Sequence, residues 1–107
     1  MINVAIISGN QHIQKSLSLL VKTDPDLNII KPEEIDVDKK VVLLVDTEID
    51  DLEDCLRRFS KHIPIILYSH SKDFLDMSYL LNKYKVNFFN VYTKPECILN
   101  IIKEPFC

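Results

Sequence analysis

Short apolar runs alternate with amphipathic segments along the whole chain. The apolar runs predict five strands: INVAIIS at 2–8, LNII at 27–30, VVLLVD at 41–46, PIILYS at 64–69 and VNFFNVY at 86–92. Apolar residues at helical spacing predict helices over 11–23, from 50 or 51 through 59, over 72–84 and over 95–103. Residues 32–39 leave room for only one or two helical turns.

Strands that alternate with helices in this way predict a parallel sheet with helices on both faces. A dinucleotide-binding fold and a phosphate-binding P-loop both need a glycine-rich turn, but the chain has a single glycine, Gly9. We therefore expect a three-layer, flavodoxin-like α/β fold with strand order 2-1-3-4-5. The length of 107 residues predicts a single domain over 1–107.

The predicted helix at 72–84 carries an apolar stripe made of Phe74, Met77, Leu80 and Leu81. These residues recur at helical spacing, so we interpret the stripe as the face that packs on the sheet. The acids at the start of the preceding helix need no ligand, because negative charge is favourable at a helix N-terminus.

The overall composition excludes several classes of protein. A net charge of −3 without a basic cluster argues against direct nucleic-acid binding. No apolar run reaches membrane-spanning length, and no signal sequence is recognisable. Cys55, Cys97 and Cys107 have no spacing typical of a metal or disulfide site, and we interpret them as small apolar residues or, at the end of the chain, a tail residue. We expect a cytoplasmic protein that does not contact membranes.

Polar residues follow the predicted strands at the points where these strands end. Ser8, Gly9 and Asn10 come from the first strand, Asp46 from the third, Ser69 from the fourth, and Lys94 follows the fifth. The carboxyl ends of parallel strands share one edge, where open α/β sheets bind their ligands. A carboxylate, a hydroxyl and a cation are therefore predicted to converge there. His70, beside Ser69, lacks partners at metal-ligand spacing and is interpreted as a solvated loop residue.

Three of these motifs together resemble a response-regulator receiver domain of the CheY-like type, over nearly the whole chain. They are VVLLVD ending at Asp46, IILYS ending at Ser69, and VYTKP, which contains Lys94. The resemblance implies that Asp46 is the phosphoacceptor and that Ser69 and Lys94 support the phosphoryl group. It also implies a cis peptide bond before Pro95 and a histidine kinase as partner.

The chain departs from receivers at the magnesium site. Receivers end their first strand with two acids, and here Ser8 and Gly9 occupy those positions. Magnesium needs carboxylate ligands, so we expect its binding to be weak or absent, with no cofactor and no metal. Phosphoryl transfer to Asp46 would then be slow, and Lys94 would pair with Asp46 directly. Glu48 is the one nearby acid that could supply a missing carboxylate. Val91 stands where receivers often carry an inward-turning aromatic residue.

Three functions remain open at this point. The first is an atypical receiver that has no catalytic residues and no enzymatic activity. Such a domain would associate independently of phosphorylation and would regulate an output domain, for example in transcription. The surface that receivers use to dimerise would present Tyr79, Lys83, Tyr92, Cys97, Asn100 and Ile101. The second is a working phosphoacceptor, phosphorylated on Asp46 by a histidine kinase. The third is an unrelated flavodoxin-like binding domain in which Asp46 and Lys94 are structural and Ser69 is a satisfied turn hydroxyl.

Overall fold

A computed structural model describes residues 1–106 of the chain. The strands are β1 (Ile2–Ile7), β2 (Leu27–Ile30), β3 (Val41–Asp46), β4 (Ile65–Ser69) and β5 (Asn87–Asn90). The helices are α1 (Gln11–Lys22), α2 (Leu52–Phe59), α3 (Phe74–Tyr84) and α4 (Pro95–Lys103). Short 3-10 turns form at Pro32–Glu34 and Glu104–Phe106. The predicted succession of strands and helices is confirmed, with ends that differ by a few residues.

All strand pairs are parallel, and the sheet has the order β2-β1-β3-β4-β5. This is the predicted flavodoxin-like order. β3 lies at the centre, and every residue from Val41 to Asp46 is buried, as expected for a strand covered on both faces. The β1 and β4 strands flank β3, so their carboxyl ends border the end of β3 at Asp46.

Two hydrophobic cores lie on opposite faces of the sheet. One core joins α1 and α4 to the sheet through residues such as Leu17, Val21, Ile98 and Ile102. The other joins α2 and α3 to the sheet through residues such as Cys55, Leu56, Met77 and Leu81. Since side chains alternate along a strand, β3 supplies Val42 and Leu44 to the first core and Val41, Leu43 and Val45 to the second.

Capping side chains set the starts of two helices. Asn10 caps α1 by accepting hydrogen bonds from the amides of His12 and Ile13. Asp73 and Asp76 form a reciprocal capping box, which starts α3 at Phe74 and not at the predicted residue 72. Asp51 precedes α2 without a side-chain capping bond.

One member of the predicted core stripe is placed differently. Met77 and Leu81 are buried and Leu80 is partly buried, but Phe74 is 62% exposed. Phe74 is the first residue of α3, directly after its cap, so it lies at the end of the helix and not over the sheet. Leu75, next to it, is 77% exposed. The start of α3 therefore presents apolar surface to solvent.

The cysteines also differ in part from the expectation. Cys55 is buried in the second core, where burial raises the pKa of its thiol. Cys97 is exposed on α4, so it is not a core residue. Cys107 lies outside the described residues. None of the helices within residues 1–106 is both long and apolar enough to cross a membrane.

An ion pair joins the end of α4 to the turn that follows α1. The Lys103 Nζ atom at the end of α4 lies 2.6 Å from Asp24 Oδ2 in the turn after α1. Asp24 is buried, and its other carboxylate oxygen accepts a hydrogen bond from the Asp26 amide. The bond to Lys103 and then that to Asp26 lower the pKa of Asp24 below its ordinary value. The charged form of Asp24 therefore stabilises the folded state.

Replacing Asp24 with Asn should lower the free energy of unfolding by about 1 kcal/mol at pH 7, because a charge-assisted hydrogen bond is lost. Since the folded-state pKa is depressed, the contribution of Asp24 is complete above about pH 3.9 and disappears as the pH falls through the folded-state pKa. Urea unfolding at pH 7 and pH 3 measures both effects. Asp26→Asn in the same turn is the matched control. An Asp24→Asn effect equal at both pH values would contradict the assignment.

Candidate functional site

Asp46 is the last residue of β3 and lies at the centre of the carboxyl edge of the sheet. It pairs in register with Tyr68 of β4, and only 1% of its surface is exposed. A carboxylate buried to this extent needs hydrogen-bond donors or a cation, because the loss of hydration is costly. The identity of these donors determines what the site can do.

Neutral donors from the neighbouring loops surround the Asp46 carboxylate. Its Oδ1 atom accepts a hydrogen bond from the Glu48 amide at 2.9 Å. Its Oδ2 atom accepts one from the Gly9 amide at 3.2 Å. The Ser8 hydroxyl lies 3.4 Å from Oδ2 and 2.9 Å from the Asn10 carbonyl oxygen, so its single proton serves one of the two at a time. The turn after β1 and the turn after β3 are thus joined through one side chain.

Gly9 occupies one of the two positions where receivers carry acids, and its surroundings leave room for a side chain. A Cβ atom added there would lie 3.9 Å from Ile49 Cγ2 and 4.0 Å from Asp46 Oδ2, which are ordinary contact distances. The backbone at Gly9 has no left-handed φ that would disfavour another residue. The missing acid is therefore a difference of side chain and not of backbone shape.

Ser69 lies at the end of β4 and is completely buried. Its hydroxyl oxygen accepts hydrogen bonds from the amides of Ser71 at 3.1 Å and Lys72 at 2.9 Å. This is the local turn arrangement that serine commonly forms with the following backbone. The oxygen thus has a structural role, and the hydroxyl keeps one proton that no hydrogen bond within residues 1–106 uses.

Lys94 is placed differently from both expectations that concern it. Its side chain is exposed, and the ion pairs within residues 1–106 do not include one with Asp46. The predicted direct pair is therefore wrong; Asp46 is already satisfied by neutral donors, and Lys94 retains its hydration. The Lys94–Pro95 bond is trans, so the predicted cis bond is also wrong. Lys94 is the residue that precedes α4.

Glu48 does not bring its carboxylate to Asp46. Its Oε1 atom accepts a hydrogen bond from Ser71 Oγ at 3.1 Å and lies 3.3 Å from Lys72 Nζ. These two contacts, the hydroxyl first, lower the pKa of Glu48 below its ordinary value. Only the backbone amide of Glu48 contacts Asp46. The side chain instead links the loop after β3 to the loop after β4.

Two buried residues next to the site were not singled out from the sequence. Tyr68 is fully buried, stacks on Phe89 with ring centroids 5.9 Å apart, and directs its hydroxyl to the Ile7 carbonyl oxygen at 3.5 Å. Burial raises the pKa of Tyr68 to about 12. Tyr68 thus supplies the inward aromatic ring in this region, whereas Val91 is a partly buried aliphatic neighbour of the core. An aromatic residue within an apolar strand was the available signal in the sequence.

Thr47 follows Asp46 and is the second of these residues. Its amide donates to the Tyr68 carbonyl oxygen at 3.0 Å, which extends the β3–β4 pairing by one residue. Its hydroxyl is buried and has no hydrogen-bond partner within the described part of the chain. The apolar run that precedes Thr47 gave no indication that the burial would continue past Asp46.

The donor set at this edge is poor for a metal ion. Among residues 1–106, no group of three or more histidine, cysteine, aspartate or glutamate side chains is arranged to hold one. Asp46 is the only carboxylate that the described hydrogen bonds place at the junction of the loops after β1 and β3.

Comparison with protein-family models and with curated protein sequences finds no match to this chain.

Replacing Thr47 with Val should raise the free energy of unfolding by about 1 kcal/mol. Valine has nearly the same shape, and the change removes a buried hydroxyl that lacks a partner. Chemical denaturation of the two proteins measures the difference. Ser69→Ala is the matched control and should lower the free energy of unfolding by about 1–2 kcal/mol, because two amides lose their acceptor. A Thr47→Val protein as destabilised as Ser69→Ala would mean that the Thr47 hydroxyl is hydrogen-bonded.

Proposed function

We propose that this chain is an atypical receiver-like domain that acts through association with protein partners and not through phosphorylation of Asp46. The observation that carries the proposal is the set of hydrogen bonds around Asp46. Its carboxylate is buried and accepts from two amides and a hydroxyl, all of them neutral. The parallel order β2-β1-β3-β4-β5 is the order that the receiver resemblance requires.

The arrangement around Asp46 disfavours phosphoryl transfer for an electrostatic reason. An incoming phosphoryl group brings negative charge toward a carboxylate, and catalysis depends on cations that neutralise it. No acid stands at Ser8 or Gly9 to hold magnesium, and Lys94 does not pair with Asp46. Asp46 therefore serves to connect the loops after β1 and β3. The domain then acts in signalling through the proteins that it binds.

The surface formed by α3, the segment after β5 and α4 is suited to association. Tyr79 and Tyr92 are 70% and 81% exposed, and Leu75 lies one helical turn before Tyr79 on the same side of α3. Cys97 and Asn100 are exposed on α4. Exposed aromatic and aliphatic side chains are enriched at protein interfaces. We call Leu75, Tyr79 and Tyr92 the apolar patch.

Two other residues expected on this surface have contacts within the chain. Lys83 Nζ lies 2.7 Å from Glu53 Oε2, which joins α3 to α2. Ile101 is partly buried against the first core. Lys83 Nζ also lies 5.6 Å from the centroid of the Tyr79 ring, but Tyr79 keeps 70% of its surface exposed. The apolar patch is thus the most exposed apolar part of this surface. We infer that the partner is a second copy of the chain or the output domain of a signalling protein, for example a transcription regulator, in the cytoplasm.

Labelling with a small phosphodonor, with and without magnesium, tests the proposal most simply. The protein should incorporate little phosphate, and millimolar magnesium should change the rate by less than about twofold, because no metal site assists the transfer. Asp46→Asn sets the background, since it lacks the nucleophile. Rapid magnesium-dependent labelling that Asp46→Asn abolishes would overturn the proposal in favour of a working phosphoacceptor and its histidine kinase.

The double substitution Ser8→Asp and Gly9→Asp tests whether the missing acids explain the expected lack of magnesium binding. New carboxylates next to Asp46 should repel it and lower the melting temperature without metal, and millimolar magnesium should restore it. Gly9 has the space for the added side chain. Thermal melts of both proteins with and without magnesium measure this. Magnesium could instead stabilise the unsubstituted protein as strongly as it stabilises the variant. Acids at positions 8 and 9 would then not be needed for magnesium binding, and our explanation for the lack of phosphorylation at Asp46 would be wrong.

Association through the apolar patch should be independent of phosphodonor, because no ligand at Asp46 favours one state over another. The double substitution Leu75→Glu and Tyr79→Glu should convert a dimer to a monomer in sedimentation velocity at high protein concentration. Leu19→Glu is the matched control, since Leu19 is an exposed leucine on α1. A wild-type protein that is monomeric throughout, or a dimer that Leu75→Glu and Tyr79→Glu leave intact, would exclude self-association through this patch.

A further inference from the structure

A groove with a volume of about 420 Å³ lies between α1 and the segment that joins β5 to α4. Ile13, Leu17 and Leu20 of α1 form one wall, and Val91 and Ile98 contribute to the other. Small-molecule sites in proteins typically have volumes of about 300–1,000 Å³ and mainly apolar walls with a few polar groups. The groove has the size and the lining of such a site, and it does not include Asp46.

The groove opens at the carboxyl edge of the sheet. His12 lies in the first turn of α1, which follows β1, while His70 follows β4 directly and Val91 follows β5 directly. Open α/β sheets bind ligands at this edge, because the loops that follow the strands converge there. Both histidines are exposed, and both line the groove, so a ligand that enters from solvent can reach either imidazole.

The ionisable groups of the lining indicate the charge of the ligand. The chain carries 16 acidic residues, but none of them lines the groove. His12 and His70 offer imidazole N–H groups, and Ser16 and Thr93 add hydroxyl groups. Glu96, the acid nearest in sequence on α4, is exposed and is not part of the lining. A carboxylate would find hydrogen-bond donors here. Glu48 interacts electrostatically with His70, but it lies outside the lining and is paired with Lys72.

We propose that this groove binds a small organic acid, with an apolar ring or branched chain against α1 and α4 and a carboxylate between His12 and His70. The two imidazoles donate hydrogen bonds to the carboxylate, which fixes the orientation of the ligand. The apolar body covers Ile13, Leu20 and Val91. Tyr92 belongs to the apolar patch and also lines the groove, but Leu75 and Tyr79, which are replaced to test association, do not line it, and neither does Asp46. The test of this site is therefore separate from the tests of the proposed function.

The test uses 2-naphthoate as the probe and 2-naphthalenemethanol as its neutral counterpart. Titration of the ¹⁵N-labelled protein should shift the amide signals of Ile13, Leu17 and Val91 at probe concentrations on the order of 1 mM, as expected for a ligand of this size. The alcohol should bind at least fivefold more weakly, because it cannot accept charge-assisted hydrogen bonds. Signals from α2, whose buried residues pack on the opposite face of the sheet, should stay unchanged.

Two sets of variants separate the head group from the apolar walls. His12→Ala with His70→Ala should weaken naphthoate to the affinity of the alcohol, whereas His62→Ala, an exposed histidine outside the groove, should change nothing. Ser16→Trp fills the groove from the exposed face of α1 and should abolish binding of both probes. The proposal is overturned if naphthoate shifts no groove signals, if both probes bind equally, or if the histidine double variant binds naphthoate as the parent does.

Discussion

The buried carboxylate of Asp46 is the feature on which the carboxyl edge of the sheet depends. A charge at the end of the central strand cannot lose its water without donors, and the chain supplies the amides of Gly9 and Glu48 together with the hydroxyl of Ser8. These donors lie on the loops after β1 and β3. The burial of Asp46 therefore depends on both turns, because each supplies donors to the same carboxylate.

The same hydrogen bonds explain why the remaining polar residues have structural positions. Because Asp46 is satisfied by neutral donors, Lys94 stays in solvent before α4. Glu48 turns to Lys72, and Ser69 holds the turn after β4. Several of the polar groups at this edge thus form contacts that link neighbouring loops. The surfaces that we propose for a partner and a ligand lie elsewhere, on α3 and beside α1.

The sequence was sufficient for the architecture because strand and helix periodicity, with a single glycine, leaves few arrangements of the sheet. It placed Asp46 and Ser69 at strand ends for the same reason. It failed for Lys94, since the direction of an exposed side chain depends on loop geometry that no periodicity encodes. It failed for Phe74 because the Asp73–Asp76 capping box, which sets the start of α3, moves this residue to the helix end. Thr47 gave no signal, because a threonine after a strand is usually exposed.

The amide signals of Gly9 and Glu48 provide the most direct measurement, since both groups donate to the Asp46 carboxylate. In ¹H–¹⁵N spectra recorded during a titration with millimolar magnesium, both signals should stay in place, because neutral donors already occupy the carboxylate and no second acid attracts the ion. The Asp46→Asn protein, in which both signals should move, verifies their assignment to this contact. Saturable magnesium-dependent shifts of Gly9 and Glu48 in the unsubstituted protein would contradict our proposal that Asp46 is a structural carboxylate.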